Sequence, residues 1–409
     1  MHLPRRSLLA AAALPALGGL PRAARAQNAA VKIGVLNDQS GTYRDIGGPG
    51  SVACVRQAIQ DFGNHGFNVD VAVGDHQNKP DVGASIARQW FDRDGVDVII
   101  DVPTSSVALA VSGVAREKNK IFLGSNPATS DLTGSQCSPN TIQWTYDTWM
   151  LAHSTGGAMV KAGGDSWFFI TADYAFGHAL ARDTGNFVTA AGGKVLGEVR
   201  TPFPGTTDFS SFLLQAQNSR AKVIGLANAG GDTINCIKQA AEFGLMRRGT
   251  KLAALLMFIS DVHALGLRTA AGLVCTSSFY WDLNDRTRAF TKRVLPAMPG
   301  GLRPGMGQAG CYSAALHYLK TVADMGVPQA KASGAATVAR MKQMPTDDDV
   351  FGPGRIREDG RKLHPAYLFE VKTEQESKGP WDYYKLLITT PPEEAFRPLS
   401  EGGCPLVRS

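Results

Sequence analysis

Past residue 26 this sequence of 409 residues has no apolar run approaching the roughly 18 residues that a membrane span requires, and no cysteine stands at the expected cleavage point. Neither a transmembrane segment nor a lipid anchor is therefore expected. Charge of one sign is also missing. The 42 Lys and Arg face 36 Asp and Glu, and without Arg5, Arg6, Arg22 and Arg25 of the leader the balance is 38 to 36. A nucleic-acid partner, which needs a basic face, is not expected.

Reactive motifs are scarce as well. The eight histidines form no H-x-x-x-H pair, the six cysteines no C-x-x-C pair, and no G-x-S-x-G elbow occurs. Asp347-Asp348-Asp349 precedes a Gly-Pro turn and reads as a solvated acidic face rather than a calcium loop. Gly48-Pro49-Gly50-Ser51-Val52-Ala53 matches G-x-G-x-x-A, yet eleven residues separate Leu36 from Gly48, whereas a dinucleotide site needs its glycines in the turn directly after the strand. No catalytic residue, metal or cofactor is expected.

What is present begins with a leader. Arg5 and Arg6, an apolar stretch from Leu8 to Leu20, and Ala24-Arg25-Ala26 describe a signal peptide over residues 1–26, with the paired arginines compatible with twin-arginine export. Export to the periplasm follows. The six cysteines, Cys54, Cys137, Cys236, Cys275, Cys311 and Cys404, then belong to an oxidising compartment, where disulfides are favoured over zinc, with buried free thiols as the alternative.

From Val31 apolar strands alternate with amphipathic helices. Val31–Leu36, Val69–Val73, Val96–Asp101 and Ile121–Gly124 read as strands, with helices over Val52–Phe62, Val82–Phe91 and Ser106–Lys118. A second series has strands at Trp167–Ile170, Val195–Val199, Val223–Leu226, Leu252–Met257 and Leu273–Thr276. Three helices, Arg286–Leu295, Gly310–Met325 and Ala330–Met344, precede strands at Tyr367–Val371 and Tyr383–Leu387. Near-continuous apolar strands separated by helices predict an α/β chain of two doubly wound parallel-sheet lobes.

Ligands of such sheets bind outside the carboxyl ends of the strands. The loops there, Asn37–Tyr43, Val102–Ser106 and Ser125–Thr129, are rich in hydroxyl groups and uncharged at their centres. Such groups can cap helices, and together with exposed helix N–H groups they can hold a carboxylate.

The order and spacing of several short motifs then carry a resemblance. Val31-Lys32-Ile33-Gly34-Val35-Leu36, Ser40-Gly41-x-Tyr43, Pro103-Thr104-Ser105-Ser106, Pro127-Ala128-Thr129, Asp173-Tyr174-Ala175-Phe176-Gly177 and Thr207-Asp208-Phe209-Ser210 resemble the periplasmic leucine/isoleucine/valine-binding type of transporter receptor. The resemblance spans residues 31–388. It implies two lobes joined by three crossing segments near 146–148, 279–281 and 352–357, closing on a ligand. Lobe one is expected over 31–147 and 281–350, lobe two over 148–280 and 351–388, and a tail over 389–409. The fold so implied suggests the pairings Cys54–Cys137, Cys236–Cys275 and Cys311–Cys404.

In amino-acid-binding relatives, lobe-one loops hold the carboxylate while an acid and a tyrosine from lobe two hold the amine. The carboxylate positions map to Thr104, Ser105, Ser106, Ala128 and Thr129, with Asn126 beside them; the lobe-two positions fall near Asn228, Ala229 and Phe258. The tyrosine is absent and Asp261 is a doubtful stand-in for the acid, so an α-amino acid is not the expected ligand. Tyr43, Tyr174, Phe176, Phe258 and Tyr280, with Trp149 and Phe279 near them, could enclose an apolar body beside a carboxylate or amide. The expectation is a monomeric receptor that passes a small aromatic or aliphatic carboxylate or amide to an inner-membrane ABC permease. A periplasmic sensor reporting to a signalling partner, or a true amino-acid-binding protein, is the alternative.

Overall fold

A computed structural model describes residues 29–246 and 249–407. The expected leader, 1–26, lies outside the described residues. β1 (Ala30–Asn37), β2 (Asn68–Asp75), β3 (Val98–Asp101), β4 (Ile121–Gly124) and β5 (Thr141–Gln143) form a parallel sheet in the order β2-β1-β3-β4-β5. Its apolar residues serve both faces, as strand alternation requires. Ile33, Val35, Ile100 and Leu123 join the core under helices Gly48–Phe62 and Met306–Met325, whereas Leu36, Ile99 and Phe122 join the core under Pro80–Asp92 and Ser105–Glu117. Gly34 is required here, since a Cβ on it would stand 2.5 Å from the Trp90 ring.

The second parallel sheet runs β7-β6-β8-β9, from β6 (Ser166–Ala172), β7 (Lys194–Thr201), β8 (Val223–Ala227) and β9 (Lys251–Ala254). Beyond it lies a smaller antiparallel sheet of β10 (Val274–Ser277), β13 (Ala366–Val371) and β14 (Tyr384–Thr390). The strand expected over Leu252–Met257 stops at Ala254, and the residues after it turn towards the first sheet. Ala330–Met344, expected as one helix, is two (Val327–Ala332 and Gly334–Gln343), because Ser333 leaves helical geometry and its side chain caps Ala336.

The short hairpin β11 (Arg355–Ile356) and β12 (Lys362–Leu363) stays beside the first sheet, where Arg361 bridges to Gln143. The chain thus passes between the sheets after β5, after β10 and between β12 and β13, the last lying past the 352–357 expected. One continuous apolar cluster joins the two bodies through Tyr43, Tyr146, Phe176 and Phe258.

The three cysteine pairings expected do not form. Cys137 pairs with Cys404, stapling the tail to the loop before β5, while Cys54, Cys236, Cys275 and Cys311 are buried free thiols. The reason is position: those four lie on helix faces and a strand turned into the cores. Asp348 is likewise no part of a solvated face. It is buried and accepts hydrogen bonds from Ser313 Oγ and the N–H groups of Val350 and Phe351.

Candidate functional site

The loop after β1 is folded by a buried carboxylate. Asp38 accepts hydrogen bonds from the N–H groups of Gly41 (2.6 Å) and Tyr43 (2.9 Å) and from Asn78 Nδ2 (2.6 Å), which turns the Tyr43 ring inward. On the other side, the turn after β6 is tight because Gly177 packs on Ala172, where a Cβ would stand 2.0 Å from the carbonyl oxygen. That turn carries Tyr174 and Phe176. The Tyr43 and Tyr174 hydroxyls meet at 2.5 Å, and the Phe203 ring stacks on Tyr174 at 4.1 Å.

The seam is closed a second time at Gly230 and Gly231. Gly230 has φ +58°, a conformation that favours glycine, and a Cβ on either residue would lie 2.7 Å from Thr42. Between these contacts lies an enclosed chamber lined by Tyr43, Ile46, Pro103, Ala128 and Tyr146 from one side and Tyr174, Phe176, Ala229, Leu256 and Phe258 from the other. At about 10 Å³ it has room for about one water molecule. None of its lining side chains is charged.

Six of the thirteen expected binding residues, Tyr43, Ala128, Tyr174, Phe176, Ala229 and Phe258, thus share one chamber. The polar ones are not among its lining residues, and their side chains bond mostly to neighbouring loops and helices. Thr104 Oγ1 donates to Asn78 Oδ1, and Ser105 Oγ accepts from the N–H groups of Ala128 (3.3 Å) and Thr129 (3.1 Å). Thr129 Oγ1 accepts from the Asp131 N–H, while Ser106 lies half-buried in the first turn of its helix. Asn126 donates to Asp101, and Asn228 accepts from Thr233. Tyr280 is a core residue beside Phe369 and Tyr384, its hydroxyl donating to the Trp381 carbonyl. Trp149 packs on His153 and Phe187, and Phe279 on Phe290.

Ile46, Pro103, Tyr146 and Leu256 went unassigned as binding residues from the sequence, although Pro103 sits in a loop singled out there. Tyr146 fits the same logic, standing at a crossing segment with its hydroxyl donating to the Asn126 carbonyl at 2.7 Å. Burial holds Tyr43, Tyr146 and Tyr174 well above the ordinary tyrosine range, so all three hydroxyls stay protonated and able to donate.

Two acids stand nearby. Asp261, in the first turn of helix Ile259–Leu265, accepts the Phe258 N–H at 2.8 Å and so caps that helix, with burial raising its carboxyl to about 7. Asp232, also buried, has one carboxylate oxygen without a partner and is raised to about 7 by burial. Its charge adds to the burial that raises the Tyr43 and Tyr174 hydroxyls. Nothing in the residue pattern had marked Asp232, which looks like an ordinary acid in a first helical turn.

A family model described as periplasmic binding protein matches residues 30–379. A periplasmic binding protein from Burkholderia mallei is 48% identical, with 93% of this chain and 99% of that chain covered and a TM-score of 0.89. A branched chain amino acid ABC transporter periplasmic ligand-binding protein from Burkholderia xenovorans LB400 is 39% identical over 92% of this chain and 99% of that one, with a TM-score of 0.79. A solute binding protein from R. palustris in complex with benzoate shares the fold at 22% identity, with 89% and 97% covered and a TM-score of 0.78. No match is found among the curated proteins. The chain belongs to the periplasmic binding proteins of the leucine/isoleucine/valine-binding type, which are solute-binding proteins of ABC transporters and not enzymes.

Proposed function

We propose that this protein captures a small organic acid with an aromatic or branched apolar body and passes it to an inner-membrane permease. The observation that carries this reading is the chamber itself: three tyrosines and two phenylalanines enclose it, and no lining side chain is charged. Aromatic walls stabilise a flat apolar body, and tyrosine hydroxyls offer hydrogen bonds without a formal charge. The carboxylate is assigned to the edge nearest Ala128 and the first turn of helix Ser105–Glu117, where N–H groups at a helix start favour an anion.

Relatives support the class. The R. palustris structures that share the fold hold benzoate and 4-hydroxybenzoate, while the Burkholderia xenovorans relative is named for branched chain amino acids. Because the chamber is narrow and enclosed, entry requires the two lobes to part at the Tyr43–Tyr174 and Thr42–Gly230 contacts, with hinges in the three crossing segments near 144–148, 279–281 and 364–366. Closure on the ligand then creates the joint surface that the permease reads.

A second reading rests on Asp232. Its unpartnered oxygen could face an ammonium group, which favours an amino acid instead. A thermal-shift screen of ligand-stripped protein separates the two, since a ligand bound only to the native state adds about 2.7 kcal/mol at about 100 times its Kd. Benzoate, 4-hydroxybenzoate or a branched aliphatic acid should raise the melting point; a response to leucine and valine alone selects the second reading.

A further inference from the structure

We infer that Asp101 is a positioning residue of the chamber, its carboxylate tying the ends of β1 and β4 together so that Pro103, Ala128 and Tyr146 stand where a ligand meets them. This rests on reading the chamber as the ligand's site.

Asp101 is the last residue of β3 and is fully buried. Its φ is +90°, and that of Val102 is +60°. A branched residue in the left-handed region is an outlier that persists only where its surroundings impose it, and such strain gathers at ligand clamps. Here the turn delivers Pro103 directly to the chamber wall.

What imposes the turn is a pair of hydrogen bonds. Asp101 Oδ1 accepts from Asn126 Nδ2 at 2.6 Å and Oδ2 from Asn37 Nδ2 at 2.8 Å; Asn37 Nδ2 also donates to the Gly48 carbonyl at 2.9 Å. Asn126 in turn holds the chamber, because its carbonyl receives the Tyr146 hydroxyl and Ala128 lies two residues on. The pair has no slack. A Cβ on Gly307 would stand 1.6 Å from Asn126 Oδ1, and one on Gly47 3.0 Å from Asp101 Oδ2. Burial raises the carboxyl, while the Asn126 and Asn37 hydrogen bonds draw it back down, so the donors favour the ion.

Asp101→Asn tests this with its own rescue. The new amide keeps one acceptor and turns an N–H2 towards the second asparagine donor, so one of the two bonds is lost. The double variant D101N/N126D restores both, because the amide then donates to the new carboxylate while still accepting from Asn37. Hydrogen exchange of the ligand-free protein should be about tenfold faster in D101N for peptides covering 102–107 and 126–130 alone, returning to within about threefold of wild type in the double variant. The Kd for 4-hydroxybenzoate should rise about fivefold in D101N and recover likewise.

Unchanged loop exchange in D101N, or an acceleration that the double variant does not reverse, overturns the inference. Faster and reversible exchange with an unaltered Kd supports the positioning and overturns the chamber as the ligand's site. Should D101N not fold, Asn126→Ser, which cuts one bond only, must show the same local acceleration; wild-type exchange there overturns the inference equally.

Discussion

The hydroxyl groups of Tyr43 and Tyr174 meet at 2.5 Å although 131 residues separate them and each belongs to a different sheet's loop. The contact is the shortest polar link across the seam that encloses the chamber. Burial keeps both phenols protonated, so one donates and the other accepts at any pH the protein meets.

Tyr174→Phe removes that link while leaving the stack on Phe203. The loss of one buried hydrogen bond is expected to cost about 1 kcal/mol of closure, which is a roughly fivefold rise in Kd. Scattering should show a larger open fraction in ligand-free Tyr174→Phe than in wild type. Identical profiles and affinities in the two proteins contradict the latch.

The Cys137–Cys404 bond closes a long loop, with a separation of 267 residues. Cys404→Ser should lower stability by about 2–4 kcal/mol, as cross-links that restrict a long unfolded loop do. Thiol titration should find no reactive sulfhydryl in the native protein and four after denaturation, matching the buried Cys54, Cys236, Cys275 and Cys311. Two thiols after denaturation, or none, would mean further pairs form.

Lys362 is fully buried, its Nζ 4.4 Å above the Phe351 ring and without a hydrogen-bond partner, and burial lowers it to about 8. The unfolded chain, at about 10.4, keeps its proton longer. Between these values the unfolded state binds more protons, so stability must rise as pH rises from about 8 to about 10, by about 3 kcal/mol in all. Urea unfolding of wild type against Lys362→Met isolates this slope. The variant should lack it and should match or exceed wild-type stability at pH 7.

Much of the fold was legible because its strands are apolar on both faces. Val31–Leu36 and Ile121–Gly124 could hardly be anything else, and the helices between them carried clear spacing. β5 escaped notice because three residues, Thr141–Gln143, are too few to show a period, and they form a strand only by pairing with β4. The buried Arg361 and Lys362 were illegible for a different reason. Paired cations read as surface, and only tertiary packing supplies the Asp147 carboxylate and the Phe396 and Phe351 rings that face them. The cysteine pairing depended on where the tail runs, which nothing local specifies. In the site, aromatic side chains were easier to place than hydroxyls, since Ser105 and Thr104 turn their oxygens to neighbouring loops instead of the chamber.

Asp232 distinguishes the two classes of ligand. Its carboxyl, raised to about 7 by burial, carries stability that is present at low pH and lost as pH rises through about 7. Asp232→Asn should therefore stabilise the protein at pH 8 relative to wild type and leave the binding of an aromatic acid intact or tighter. Loss of binding by more than about tenfold in this variant, a cost of about 1.4 kcal/mol, would show that the carboxylate faces a cationic group of the ligand.

The central claim, that the chamber between Tyr43, Tyr146, Tyr174 and Phe258 holds the ligand, is tested most directly by calorimetric titration of wild type and Ala229→Trp with 4-hydroxybenzoate. Ala229 lines the chamber, which when closed has room for about one water molecule, so an indole there takes the ligand's place and wedges the lobes apart. One site per wild-type chain and no heat of binding in the variant, which still unfolds in one cooperative transition, is the predicted result. Equal binding by both proteins would place the ligand elsewhere and contradict the account.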